Sequence, residues 1–346
     1  MQKIGERMLN IAIVGCGYWG PNIIRNFNAL EECRVKTICD LDKDRLVHML
    51  TLYPSVEPTR DFDTIINDPE IDAIAIATPV HLHFELAKKS LDAGKHTFIE
   101  KPMASSVDEC AQLKKLAEEK NLTLMVGHTF LYSQTVRRIK EIIKNGDLGN
   151  ILYISARRLN LGLFQKDINV AWDLAPHDIS IILYIMDAEP VSVNCQGKAN
   201  VTKGIEDITN MTIDFKEGGF ATIKSSWLDP NKIREMTFVG SKRMLVYDDI
   251  EPNEKVKIYD KRVEKPPHYD TFGDFHHSYH YGDMYSPYIK QDEPLKIECQ
   301  HFLDCIKTGD SPLSGAEESL RVVQVLEASS ESLKMDGNKV MIKKVS

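Results

Sequence analysis

The segment Gly15-Cys-Gly17-Tyr18-Trp19-Gly20 can hold a phosphate chain, and its setting says which kind. The apolar run Leu9-Asn-Ile-Ala-Ile-Val14 leads into it and a helical pattern from Asn22 to Leu30 leads out, so the glycines lie on a strand–turn–helix. Gly15 then makes the tight turn, Gly17 lets the backbone approach a pyrophosphate, and Gly20 lets helix and strand pack closely. The helix N-terminus supplies the anion site. A glycine turn alone is a weak signal, because methyltransferases and other nucleotide binders use related ones. Asp40 strengthens it. This carboxylate ends the next apolar strand, Val35-Lys-Thr-Ile-Cys39, where it can accept bonds from ribose hydroxyls and repel a 2′-phosphate. Leu41 follows it and no arginine comes before Arg45, so the reading is NAD rather than NADP. The competing role for Asp40 is a cap on the following helix.

Two further places carry groups suited to proton transfer. Lys101, in Glu100-Lys101-Pro102, follows the strand His96-Thr-Phe-Ile99 at its carboxyl end, the side of an open α/β sheet where ligands collect. The proline after it holds it extended. Asp173 and His177 are four residues apart and share one face if both are helical. The expected arrangement is Asp173 as N-cap with His177 in the first turn, where Pro176 sacrifices no helical bond. Ile179, Ile182, Leu183 and Met186 then pack the opposite side of that helix inward. Histidine titrates near neutrality without extreme tuning, which suits a general base or acid. The plain alternatives are an exposed lysine, a helix cap and a surface histidine.

These groups need a scaffold, and the chain of 346 residues is long enough for two cores. Up to Gly127 strands alternate with helices: Ala73–Ala77, a helix from Phe84 to Ala93, a helix from Val107 to Lys120 and the strand Leu122–Val126. That alternation predicts a Rossmann-type, doubly wound parallel sheet over residues 1–127. Beyond it, a helix at Ser133–Lys144 and another at Ala175–Met186 precede strands at Met211–Phe215, Phe220–Ser226, Met236–Val239, Met244–Tyr247 and Val256–Tyr259. Short turns between them require antiparallel pairing, so residues 128–346 read as an α+β domain with an open, mostly antiparallel sheet. Residues 264–294 read as a long loop, and helical spacing returns at Ile297–Ile306 and Glu317–Leu333.

Composition narrows the partners. The net charge is −8 with basic residues scattered, which argues against nucleic acid and anionic membranes and for a small ligand. No apolar run approaches the ~20 residues of a membrane span, and Met1–Asn10 lacks a signal-peptide core, which points to the cytoplasm. The seven cysteines show no C-x-x-C spacing and read as reduced, several of them buried. His276, His277 and His280 read as loop surface or an interface, and no metal is expected.

The segments Ala77-Thr78-Pro79-Val-His81-Leu-His83 and Gly94-Lys-His-Thr-Phe-Ile-Glu100-Lys101-Pro102 closely resemble the glucose-fructose oxidoreductase, inositol dehydrogenase and MocA (Gfo/Idh/MocA) family. Asp173-Leu-Ala-Pro-His177 and the pattern from His301 to Pro312 match in the same order, so the resemblance spans almost the whole chain. It implies an oxidoreductase in which Thr78 and Pro79 line the cofactor together with Tyr18, Trp19, His81, His83 and Glu100. It also implies that Lys101 points at the reacting carbon, and that Asp173 and His177 flank the nicotinamide. His177 would then move the proton with Lys101 as rival, Lys101 would steady the developing alkoxide, and Asp173 would bind a substrate hydroxyl or orient His177. The turn through Pro21-Asn22 and the pair Arg157-Arg158 resemble the branch acting on nucleotide-linked sugars, such as UDP-N-acetylhexosamine and uronate 3-dehydrogenases. Arg158 is the expected substrate ligand of that pair, since neighbours on a strand point to opposite faces. Inositol or free-sugar dehydrogenases, sugar ketoreductases and a non-catalytic cofactor-binding regulator are the other readings. The open sheet and the family habit imply a homodimer or homotetramer.

Overall fold

The structure, a computed structural model, describes residues 7–216, 218–264 and 278–343. Its first sheet is built from β1 (Leu9–Val14), β2 (Cys33–Cys39), β3 (Glu57–Thr59), β4 (Ala73–Ile76), β5 (His96–Glu100) and β6 (Leu124–Gly127). Between them run α1 (Gly20–Asn28), α2 (Lys43–Leu52), α3 (Phe62–Ile66), α4 (His83–Asp92) and α5 (Val107–Lys120). The strand order is β3-β2-β1-β4-β5-β6 and every pair is parallel. Ala73-Ile-Ala-Ile76 is buried along its whole length, the mark of a strand covered on both faces. Strand order reverses between β1 and β4, and at such a switch point the loops leaving the two strands diverge and open a crevice at their carboxyl ends.

The second sheet belongs to the region that starts with α6 (Gln134–Lys144), β7 (Ile151–Leu161) and α7 (Val170–Met186). It continues through β8 (Pro190–Lys198), β9 (Ile208–Phe215), β10 (Phe220–Ser226), β11 (Leu228–Gly240), β12 (Met244–Asp248), β13 (Val256–Glu264) and β14 (Ser278–Tyr285). Among the described residues the order is β14-β13-β12-β11-β7-β10-β9-β8-β15, the last being Val340–Met341. All pairs are antiparallel except β7 with β10, which run parallel. The sheet is therefore mixed but mostly antiparallel, as expected.

Three sequence expectations change. The stretch read as a loop over 264–294 contains β14, whose residues are nearly all exposed and so carry no burial imprint in their pattern. Residues 265–277, with His276 and His277, lie outside the described residues. The α7 helix starts at Val170, capped by Asn169, whose side chain accepts the Trp172 amide at 3.2 Å. Pro176 is thus inside the helix, where it leaves the Trp172 carbonyl without its usual donor. Third, the chain packs as two compact units that a single cut after residue 127 does not describe: one takes Met1–Tyr132 with Asp292–Gln324, the other Ser133–Gln291 with Val325–Lys343. The returning segment brings α8 (Pro294–Thr308) against α1, where Phe27, Phe98 and Phe302 meet edge to face at 5.8–6.2 Å. The last helix, α9, spans Ala316–Lys334.

Candidate active site

The glycine turn closes on β4. Gly15 has φ +96°, and a Cβ there would lie 2.5 Å from the Ala77 carbonyl oxygen. A Cβ on Gly20 would strike the Gly15 carbonyl oxygen. Both glycines are therefore required by close backbone approach. Gly17 faces open space apart from the Arg45 guanidinium, 3.4 Å from where its Cβ would stand. Tyr18 and Trp19 are exposed and stacked, their ring centroids 6.4 Å apart.

Asp40 is held by the turn it serves. Its Oδ2 accepts the Cys16 amide at 2.7 Å and its Oδ1 the Asp42 amide at 2.8 Å. The N-cap of α2 is Asp42, which accepts the Asp44 amide at 2.9 Å, so capping is not the role of Asp40. Sequence reasoning underrated Arg45. Its Nη1 stands 3.6 Å from Asp40 Oδ2, because a side chain in the first helical turn points back toward the N-terminus.

On the β4 side, Thr78 Oγ1 is buried and has no partner in the protein. The His83 ring spans two loops: Nε2 lies 2.8 Å from the Thr78 carbonyl and Nδ1 2.8 Å from the Pro102 carbonyl. Burial pushes the His83 pKa down, opposed by those two carbonyl contacts. His83 thus ties the Thr78-Pro79 turn to the Lys101-Pro102 turn from behind, whereas direct cofactor contact was expected. His81 is exposed on the same turn.

Lys101 ends β5 half-buried, joined to Pro102 by a cis peptide. Its amide donates to Glu100 Oε2 at 3.2 Å, and the Trp19 indole near that carboxylate favours its anion. Glu100, also expected to touch the cofactor, is 6% exposed, and burial pushes its pKa up to about 7. It reaches the turn through Trp19. Around it lie two residues that sequence reasoning missed. His128 is buried with neither ring nitrogen partnered, and burial lowers its pKa to about 3. Glu298, from α8, is 0% exposed and accepts Thr129 Oγ1 at 2.7 Å. A charged residue inside the apolar pattern of α8 was the available signal for Glu298.

The unpartnered Thr78 hydroxyl, the side-chain-free approach at Gly17 and the Asp40 carboxylate all fit a dinucleotide across the β1/β4 switch point. Gly15, Gly17, Gly20, Asp40, Thr78, Pro79 and Lys101 are gathered at the carboxyl ends of β1, β2, β4 and β5.

In the second unit α7 is capped by Asn169, so Asp173 is not the expected cap but lies inside the helix, one turn from His177 on a shared face. Trp227, 1% exposed, donates its indole N–H to Asp173 Oδ2 at 2.9 Å, and Phe164 leans on its ring at 5.5 Å. The two arginines of β7 do face opposite ways, and the structure corrects which one is available. Arg158 is 6% exposed and grips Asp178 of α7 twice, Nε to Oδ2 at 2.9 Å and Nη2 to Oδ1 at 2.7 Å. Arg157 is exposed and donates to Glu235 at 2.7 Å. Arg158 therefore fastens α7 to the sheet instead of binding substrate.

Residues 9–128 match the oxidoreductase family with an NAD-binding Rossmann fold, and residues 136–246 match the GFO/IDH/MocA C-terminal domain. The UDP-N-acetylglucosamine 3-dehydrogenase of Acidithiobacillus ferrooxidans is 30% identical over 267 residues, 75% of this chain and 79% of that one. The chain belongs to the GFO/IDH/MocA oxidoreductase family. The solved structure of UDP-N-acetylglucosamine 3-dehydrogenase from the same organism superposes with TM-score 0.77 at 22% identity, covering 95% of this chain and 99% of the other. An uncharacterized oxidoreductase of Bacillus subtilis, YrbE, is 28% identical over 62% of this chain. The chain spans 66% of that relative's length and between 58% and 62% of several other curated relatives. Among the described residues, no group of His, Cys, Asp or Glu is arranged to hold a metal, and no helix is long and apolar enough to cross a membrane. All seven cysteines are buried and none forms a disulfide. His280, from the cluster read as surface or interface, lies 2.9 Å from Asp260.

Proposed function

We propose that this chain is an NAD-dependent dehydrogenase acting on a ring hydroxyl of a nucleotide-linked sugar, of the UDP-N-acetylhexosamine or uronate 3-dehydrogenase type. The observation that carries the reading is Lys101, seated at the end of β5 with its peptide held by Glu100, in the same unit as a complete dinucleotide turn. Bound there, the nicotinamide supplies the hydride acceptor or donor. The chain's own residues do the rest. Asp40 receives the ribose hydroxyls and selects NAD over NADP. Lys101 hydrogen-bonds the substrate oxygen and steadies it as it becomes an alkoxide. His177 takes the proton from that oxygen, or returns it in the reverse direction. Asp173, its carboxylate steadied by Trp227, binds a neighbouring hydroxyl or orients His177. A non-catalytic regulator would have no use for this proton-transfer set.

The test is turnover by Lys101→Ala across a panel of nucleotide sugars, free sugars and inositols. The variant is expected to bind NADH normally and to lose kcat by roughly 10²-fold or more. Unchanged turnover would sink the assignment of Lys101. Preference for inositols would move the substrate to the polyol class, and silence of the native protein across the panel would favour the regulator. Its location is the cytoplasm, and its assembly a homodimer or homotetramer. Tyr279, Tyr281, Met284 and Tyr285, all exposed along β14, support association. Light scattering of the native protein at monomer mass would contradict it.

A further inference from the structure

Two buried carboxylates stand together in the first unit, and neither is accounted for by dinucleotide binding or by the proton-transfer set. Glu298 lies on α8, almost two hundred residues along the chain from Glu100 on β5, yet the two elements pack together through Phe302 and Phe98, whose rings meet at 5.8 Å, and the charge of Glu100 bears on Glu298. Each uses one oxygen and leaves the other without a partner: Glu298 Oε2 takes the Thr129 hydroxyl, Glu100 Oε2 takes the Lys101 amide, and both Oε1 atoms are buried and unbonded within the protein. Glu100 Oε1 is also closed in by the backbone, since a Cβ on Gly127 would come within 3.1 Å of it.

Buried polar atoms are almost always paired, and two neighbouring anions in a dry site repel each other with little solvent to screen them. One proton answers both demands. We propose that Glu298 is a positioning residue for Lys101: as a neutral acid it directs its proton toward Glu100 Oε1 through one buried water, and so holds the Glu100 carboxylate on the Lys101 amide. The inference rests on the dehydrogenase reading above.

The surroundings place the proton on the right partner. Burial, reinforced by the Glu100 charge, pushes Glu298 well above the usual carboxylate range, and only the Thr129 bond opposes this. Glu100 is pushed only to about 7, because Lys101, its amide and Trp19 all favour the anion. The other titratable groups around the pair are Lys101 just after β5, His128 and Tyr132 after β6, and Cys299 on α8. Burial keeps His128, Tyr132 and Cys299 neutral. Above neutrality Glu100 is therefore the anion and Glu298 the acid. At higher pH Glu298 loses its proton, repels Glu100 and loosens the Lys101 peptide.

Glu298→Gln and Glu298→Ala in the full chain test this. The glutamine keeps an acceptor for Thr129 and offers Glu100 an N–H in place of the acid's O–H. It is expected to keep kcat within about threefold at neutral pH and to stay active on the alkaline limb where the native enzyme falls, because it has no proton to lose. The alanine is expected to lose kcat roughly 10- to 100-fold while NADH affinity changes by only about threefold, since a small misplacement of a reacting group is costly. An infrared carbonyl band of a protonated carboxyl should be present in the native protein at pH 8 and absent in Glu298→Gln, and this readout needs no substrate. If no sugar is turned over, the dehydrogenase reading fails on its own, and the band with the pH profile of NADH affinity decides the pair. Absence of the band, equal kcat losses in both variants, or an unchanged pH profile in Glu298→Gln would overturn the proposal.

Discussion

The cofactor turn of the first unit and the α7 helix of the second hold their functional groups by different means. At the turn, position comes from main chain against main chain: Gly15 against Ala77, Gly20 against Gly15, and the Asp40 carboxylate on the Cys16 and Asp42 amides. On α7, position comes from side-chain clamps. Arg158 grips Asp178 on one side of His177, and Trp227 holds Asp173 one turn earlier. A backbone site tolerates almost no added atom, whereas a clamped helix tolerates added volume but not the loss of one partner.

The contrast can be broken in order of expected effect. Asp178→Ala strands the Arg158 guanidinium in a buried site and should cost about 3–5 kcal/mol in urea unfolding. Replacing both partners with leucine or methionine should recover most of that loss. If the single and double variants are equally unstable, the clamp is not what holds α7. Gly20→Ala should cost about 1–3 kcal/mol from overpacking, together with NADH affinity; an alanine variant with native melting and native NADH titration would refute the close-approach argument. Trp227→Phe keeps the ring volume and removes only the N–H, so stability should fall by about 1 kcal/mol, with kcat reduced and NADH affinity kept. Loss of NADH affinity instead would place Trp227 outside the substrate half.

His128 is the exception within the first unit, a buried side chain with no clamp, and it sharpens the comparison through pH. Its folded pKa, about 3, lies below the ordinary 6.5, so the unfolded chain takes up the proton first. The stability it contributes is complete above pH 6.5 and falls as pH drops toward 3, by roughly 1 kcal/mol per pH unit. His128→Phe should flatten that slope between pH 6.5 and 5. An unchanged slope would mean that the ring is protonated or solvated in the fold.

Much of this was legible from residue order. Local sequence forces the first sheet, because Leu9–Val14, Val35–Cys39 and Ala73–Ala77 are short apolar runs divided by helical spacing, and a fully buried strand leaves that imprint. Exposed β14 leaves none. The start of α7 was misplaced because Pro176 reads as a first-turn proline, while Asn169 with Val170-Ala-Trp172 extends the helix backward and tolerates the missing bond. Arg158 was read as a ligand because strand alternation tells that one of two adjacent arginines faces inward, not what it finds there.

By itself, then, the sequence determined the dinucleotide turn, its Asp40, the Lys101 position and the Asp173–His177 spacing, since each depends on residues near one another in the chain. Only the tertiary structure decided that Arg158 belongs to Asp178, that Arg45 reaches Asp40, that Trp227 steadies Asp173, and that Glu298 returns to stand beside Glu100. Three of those contacts, Arg158 with Asp178, Trp227 with Asp173 and Glu298 with Glu100, join residues 20 to 198 positions apart, and such pairs leave no periodic trace, because burial and partner choice are settled only when distant strands and helices pack.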